Sequence, residues 1–457
     1  MERQSTFATA WVSGQPRLAH LAILGCSLAL GLLLACFSGG PAKFLEAAAG
    51  VLGLIVLLIY PELALALYVV IGDVKGDDRV ASLLPVDLTL ALGAILAAGI
   101  CLNFLRGKRM SAMPPVYLLF VALVALMTAS LSYTPVFSAG LEKLGRFLTV
   151  TGIAIVAPFL VIGTPQAMKR FLAGFGTVAF AICGWSLSGL SGSARLATPS
   201  DNTIGLGHIG CGLILLIWFA ILPRYQFPKR VLAYLLLGVP AIAMIGSGSR
   251  GPVIACAIVI LLSPLFHRRR LLSDLACIGG LGLAAIPFVR IPASAIDYLG
   301  TLVHGESVGS VLDFRSDLLD YGWKLLQKHP LIGTGIQGFR YYSPNPELYK
   351  WPHNIFLEIA CEIGIPAALI ACAIFGSAIL EACRLLRHAS APHFALSQVA
   401  AALLFAGLIN GTNTGDINSD RATWLFVSLV FVVRSIQRSP IEHSRATTTA
   451  SARPLAA

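Results

Sequence analysis

The chain predicts an all-α fold, a polytopic membrane helical bundle of about 12–14 transmembrane helices, and three observations carry that prediction. Hydrophobic residues make up 56% of it and charged residues only 12%, about half the share of an ordinary soluble domain. Mean hydropathy is +0.80. Apolar runs able to cross about 30 Å of hydrocarbon recur along nearly the whole length, and only helices satisfy their own backbone there without a closed barrel. Lys and Arg gather in every second connecting loop, the pattern that orients membrane helices.

In chain order the runs fall at 19–38, 44–60, 61–73, 86–105, 115–132, 142–162, 169–189, 205–222, 230–246, 250–265, 271–289, 354–376, 394–410 and 422–436. The first is long and lacks a small-residue cleavage site after it, so it reads as a span and not as a removable signal peptide. The second and third are separated at Tyr60-Pro61-Glu62, because proline ends the preceding helix and because fusing them inverts the charge bias of every later loop. The runs at 230–246 and 250–265 meet at Gly246-Ser247-Gly248-Ser249-Arg250-Gly251-Pro252, a glycine break with almost no polar spacer.

With the N-terminus in the cytoplasm, the cytoplasmic loops take Arg106, Lys108, Arg109, Lys169, Arg170, Arg224, Lys229, Arg230, Arg268, Arg269, Arg270, Arg384, Arg387, Arg434 and Arg438. That side holds 19 basic and 5 acidic residues and the outer side 14 basic and 17 acidic, +14 against −3, which together give the net +11. The charge is a topology signal, so nucleic acid is not an expected partner. Ten cysteines lie in or at the edges of spans without disulfide or zinc spacing and read as small buried hydrophobes.

Four regions result: an N-terminal transmembrane bundle at 1–289, a large outer loop at 290–353, C-terminal transmembrane helices at 354–438, and a Ser/Thr/Ala-rich tail at 439–457 with a disordered composition. Within the loop, Leu318, Leu319, Leu325 and Leu326 recur at helical spacing among Asp313, Asp317, Asp320, Lys324 and Lys328, which predicts an amphipathic helix at 313–328. His329-Pro330 stops it and Gly333, Gly335 and Gly338 turn the chain back. Tyr341, Tyr342, Tyr349 and Trp351 line the approach to His353, either as stacking surfaces for sugar rings or as an interfacial aromatic belt.

The loop ends in Trp351-Pro352-His353-Asn354, where an apolar helix begins. A helix N-terminus disfavours imidazolium, so His353 is expected to be neutral and able to accept a proton. On the same face lie Arg195, in Gly192-Ser193-Ala194-Arg195, Arg250 at the glycine break and Arg315 in the loop helix. Planar guanidiniums of this kind suit phosphate oxygens. Glu358 and Glu362 share a helix face and face protein or water, while Lys143, Arg146 and Arg340, with Arg421 behind them, are secondary candidates for site contacts.

The stretch His353-Asn354-Ile355-Phe356-Leu357-Glu358, continuing to Glu362-Ile363-Gly364-Ile365-Pro366, resembles the His-Asn-x-x-Leu-Glu…Gly-Ile pattern of the bacterial O-antigen ligase and polymerase superfamily. Arg315, Trp323 and His329-Pro330-Leu331-Ile332-Gly333-Thr334-Gly335 are similar to that family's loop signature, and Ser249-Arg250-Gly251 to its glycine break. The resemblance implies a membrane-embedded glycosyltransferase of the GT-C type in the bacterial inner membrane. Such an enzyme takes a polyprenyl-diphosphate-linked glycan as donor and passes the glycan to an acceptor hydroxyl in the periplasm, a lipid A core sugar or a second lipid-linked glycan. It implies no metal or other cofactor, so Arg195, Arg250 and Arg315 would stabilise the diphosphate and His353 would act as base. No Asp-x-Asp occurs in the outer loops, where Asp73, Asp77 and Asp78 form the acidic cluster that could substitute. Fourteen spans tilt toward a polymerase, and a transporter or flippase is a third possibility, weakened by the lack of an inverted repeat.

Overall fold

A computed structural model describes residues 41–76, 87–108, 110–192, 194–226, 229–265, 271–285, 292–296, 309–347, 349–388, 394–413 and 415–451. The run at 19–38, Cys26, Cys36, Asp77, Asp78 and Arg268 to Arg270 lie outside the described residues. Every regular element described is a helix. The first half holds α1 (Pro41–Ile59), α2 (Pro61–Val70), α3 (Leu88–Leu105), α4 (Tyr117–Ser130), α5 (Phe137–Val161), α6 (Pro165–Leu190) and α7 (Thr203–Arg224). The break region and loop hold α8 (Lys229–Gly246), α9 (Arg250–Leu261), α10 (Leu271–Ala285), α11 (Gly309–Lys328) and α12 (Gly338–Tyr342). Then follow α13 (Ile355–Ile363), α14 (Ile365–His388), α15 (Phe394–Gly411) and α16 (Arg421–Ser451).

The protein is an all-α polytopic membrane protein: among the described residues 7 helices are long and apolar enough to cross a bilayer, and the bent pair α1 and α2 makes up to 8. The expected run at 19–38 lies outside the described residues, and α4 and α9 are apolar helices of 14 and 12 residues, below the length of a full span. α9 has 12 residues, about 18 Å of helix, and packs against α7 and α15 instead of spanning alone. The break at Tyr60-Pro61 is present as a 108° bend, more than a right angle, so α2 heads back toward the side from which α1 came. α7 is buried along most of its length, and its Gly207 and Gly210 let Pro252 of α9 and the Pro240 carbonyl of α8 approach closely. Of the eight cysteines described, Cys101, Cys277 and Cys372 face outward and are not buried. α16 runs on to Ser451, into the stretch whose composition predicts disorder, since extending a formed helix costs less than nucleating one.

Around Trp424 of α16, which is fully buried, Phe120 of α4, Phe147 of α5 and Phe375 of α14 pack with ring centroids at 5.4, 6.0 and 4.7 Å. The Trp424 indole N–H donates to the Ile417 carbonyl at 3.2 Å, which ties this aromatic floor to the loop preceding α16.

The span expected at 354–376 is divided. Residues 355–363 form α13, and the membrane helix α14 starts at Ile365 and runs to His388. Gly364 between them has φ +101°, and a Cβ there would collide with the Leu331 carbonyl. Gly364→Ala is therefore expected to destabilise the fold by about 1–3 kcal/mol, read as a lowered thermal midpoint of the detergent-solubilised protein. An unchanged midpoint would contradict the strained geometry.

Candidate functional site

The glycine turn that follows α11 has a structural reason. The last carbonyls of a helix lack intrahelical donors, and in α13 they are met by this turn: Thr334 N–H donates to Cys361 O at 2.9 Å and Gly335 N–H to Glu362 O at 2.8 Å. The Ile365 N–H donates to Pro330 O at 2.9 Å. Gly333 and Gly335 have φ +68° and +86°, and a Cβ on Gly333 would meet the Glu362 backbone. The Pro-Leu-x-Gly-x-Gly stretch is thus a cap on the C-terminal end of α13.

At the other end of α13, Asn354 is the N-cap, its Oδ1 accepting from the N–H groups of Phe356 at 3.0 Å and Leu357 at 3.1 Å. Its Nδ2 donates to Thr412 O at 3.3 Å. Laterally, Lys143 of α5 is buried between Glu358 and Glu362, with Nζ 2.6 Å from each. Glu358 Oε2 accepts from Ile417 N–H at 2.9 Å and Glu362 Oε2 from Gln337 N–H at 3.0 Å. The two carboxylates share a face as expected, and that face meets protein.

His353 sits immediately before this cap with φ +54°, a left-handed conformation that costs a non-glycine residue energy and persists only when its surroundings hold it. Its Nδ1 is buried without a hydrogen-bond partner. Burial, then the positive charge of Arg315, hold its pKa down at about 4, with Asp416 pulling the other way. The imidazole is neutral at pH 7. Trp351 lies edge-on to it at 5.8 Å, and its Nε1 is also buried without a partner.

Both residues line a cavity of about 410 Å³. Its other walls include Asp73 and Asn202, hydrogen-bonded at 2.9 Å, with Arg421 and Asp420. Arg421 Nε donates to Val69 O at 3.1 Å and its guanidinium faces the Tyr68 ring at 5.9 Å. Gly72 leaves room for it, since a Cβ there would meet the guanidinium. Burial, then Asp416 and Glu358, push the Asp420 carboxyl well above the usual carboxylate range.

The cations expected on this face divide into groups. Arg195 and Arg250 come together at the glycine break: Arg195 Nε donates to Ser247 O at 2.6 Å, and Ser249, which Arg195 Nη2 reaches at 3.3 Å, is the N-cap of the helix that Arg250 begins. Gly248, at φ +64°, makes the space, because a Cβ there would lie 2.8 Å from Arg195 Nε. The positive charge of Arg315 disfavours the His353 imidazolium. Arg146 and Arg340 are held in exposed local pairs with Glu142 at 2.6 Å and Glu347 at 2.9 Å. Of the four aromatics on the approach, Tyr349 packs edge-on against Tyr321 of α11, Tyr341 and Tyr342 are exposed, and Trp351 reaches the histidine.

Residues 233–372 match the O-antigen ligase family. The O-antigen ligase match takes in Arg250, Arg315, Arg340, His353, Glu358 and Glu362, and supports a membrane function of the O-antigen ligase and polymerase kind. No curated protein matches the chain. Asp73, Arg195, Asp420 and Arg421 lie outside the O-antigen ligase segment. Asp420 and Arg421 are the residues that sequence reasoning undervalued. A signal was present, because arginine in the first turn of a helix opposes the macrodipole and needs a partner to hold it there.

Proposed function

We propose that the protein is a glycosyltransferase of the O-antigen ligase type, moving a glycan from polyprenyl diphosphate to an acceptor hydroxyl in lipopolysaccharide or exopolysaccharide synthesis. The observation that carries the reading is the neutral imidazole of His353, its Nδ1 without a hydrogen-bond partner, inside the segment that matches the O-antigen ligase family. The imidazole takes the hydroxyl proton as the acceptor oxygen bonds to the anomeric carbon. The bond from that carbon to the diphosphate oxygen breaks, and its electron pair leaves with the diphosphate. Arg315, close enough to His353 to depress its pKa, and Arg195 with Arg250 at the glycine break supply the fixed positive charge that a departing diphosphate needs without a divalent ion. The active site faces the periplasm and both termini the cytoplasm, as the distribution of Lys and Arg among the loops implies. Polymerisation of lipid-linked repeats would use the same chemistry with a different acceptor.

Purified full-length protein, given a labelled glycan on polyprenyl diphosphate in the presence of EDTA, is expected to transfer it. Arg250→Ala is expected to slow transfer about 10²–10³-fold, the usual scale for losing one fixed stabiliser of transition-state charge. No transfer by the wild type would sink the function, and loss of transfer only on adding EDTA would sink metal independence. A single capped acceptor indicates a ligase and a ladder of products a polymerase.

A further inference from the structure

The charge and hydrogen-bonding pattern of the 410 Å³ cavity argues against a diphosphate occupant. Arg421 is the one Lys or Arg among the described lining residues, its Nε is taken by the Val69 carbonyl, and the carboxyls of Asp73 and Asp420 line the same cavity. A diphosphate needs surplus positive charge, and the arginines at the glycine break, Arg195 and Arg250, do not line this cavity.

What the wall does offer is a set of unused hydrogen-bonding atoms. Trp351 Nε1, His353 Nδ1 and Asp420 Oδ2 are each buried without a partner, and Asp420 is only 6% exposed. Leaving such groups unsatisfied is costly, so three among the residues that line one cavity mark a place where a ligand completes the pairing. The indole N–H only donates, a histidine ring nitrogen without its proton only accepts, and a carboxyl accepts and, once protonated, also donates. A phosphate at neutral pH offers acceptors alone, whereas sugar hydroxyls donate and accept. The indole adds an apolar face of the kind on which pyranose rings rest. At about 410 Å³ the cavity has the size of a small-molecule site.

We propose that this cavity is the subsite for a neutral acceptor sugar, with Trp351 Nε1 and Asp420 Oδ2 binding its hydroxyls and so selecting it. The proposal rests on the transferase reading above and adds to it the place and chemistry of the acceptor. The acceptor hydroxyl then lies on the side of His353 that faces the cavity, while the diphosphate meets Arg195, Arg250 and Arg315 on another side.

The test uses the full-length protein with a polyprenyl-diphosphate-linked glycan as donor. Lipid A core oligosaccharide and a second lipid-linked glycan serve as acceptors in separate arms, and Asp420→Asn and Trp351→Phe are compared with wild type. In the arm that supports wild-type transfer, each variant is expected to raise the acceptor KM about tenfold, the scale of one lost hydrogen bond to a buried group, while the donor KM stays within about twofold. A raised donor KM would place the donor in the cavity and overturn the proposal, as would unchanged KM values for both substrates. Trp351→Phe keeps an aromatic ring in place and decides the matter if Asp420→Asn does not fold. Wild-type transfer tests the transferase reading by itself, so a working enzyme with no acceptor KM effect removes the subsite and leaves that reading standing.

Discussion

Replacing His353 with alanine is expected to slow glycan transfer by about 10²–10⁴-fold, the usual contribution of a positioned base, with the protein still folded. The wild-type rate is expected to stay level from pH 8 down to about pH 5 and to fall as pH passes through about 4, where the folded imidazole takes its proton. The sign follows from the causes. Burial and the nearby Arg315 both disfavour imidazolium, and only the deprotonated ring accepts a proton, so a depressed pKa extends the working range downward. An ordinary histidine would lose half its basic form near pH 6.5. A wild-type inflection at that pH, or transfer retained in the alanine variant, would remove His353 from the base role. The same shift has a stability consequence. Between the unfolded value and about 4 the unfolded chain binds a proton that the folded ring refuses, so folding weakens as pH drops through that window.

Lys143→Met is expected to be the most damaging change to stability. It leaves Glu358 and Glu362, which are 1% and 2% exposed, as neighbouring carboxylates without their cation. Breaking a buried ion pair from one side costs about 3–5 kcal/mol. The variant should show a markedly lower thermal midpoint in detergent, or fail to accumulate as a monodisperse species. Adding Glu358→Gln and Glu362→Gln in the same chain should recover much of the loss, because the charges that needed Lys143 are then gone. A Lys143→Met protein as stable as wild type would show that the cluster carries little of the fold.

Much of the arrangement could be read from residues alone because it is local. The Leu spacing of the loop and the Pro330 stop anticipate α11, which runs from Gly309 to Lys328. Proline at position 61 marks the bend between α1 and α2. His353-Asn354 before an apolar run is a helix start wherever the helix lies, and Asn354 caps it. What stayed hidden depends on distant pairing. Lys143 reads as a cation near a span end, and its partner Glu362 is 219 positions away. Whether such a lysine reaches for lipid phosphate or is buried between carboxylates is decided by which helices meet. Gly364 reads as one small residue in an apolar run, and only its positive φ shows that the run is two helices. Arg421 has its partner Asp73 at the opposite end of the chain, joined only when α2 and α16 share a cavity.

The break at Gly364 has a mechanical meaning. Bilayers of different thickness change the tilt of spanning helices, and an unbroken rod from α14 through α13 would carry that tilt straight to the imidazole. Here the rod is interrupted. His353 takes its frame from cross-ties instead: Lys143 of α5 from the side, the glycine turn at the far end of α13, and the Thr412 and Ile417 backbone. The imidazole is suspended between segments remote in sequence, and a tilt of α14 has no continuous helix along which to reach it.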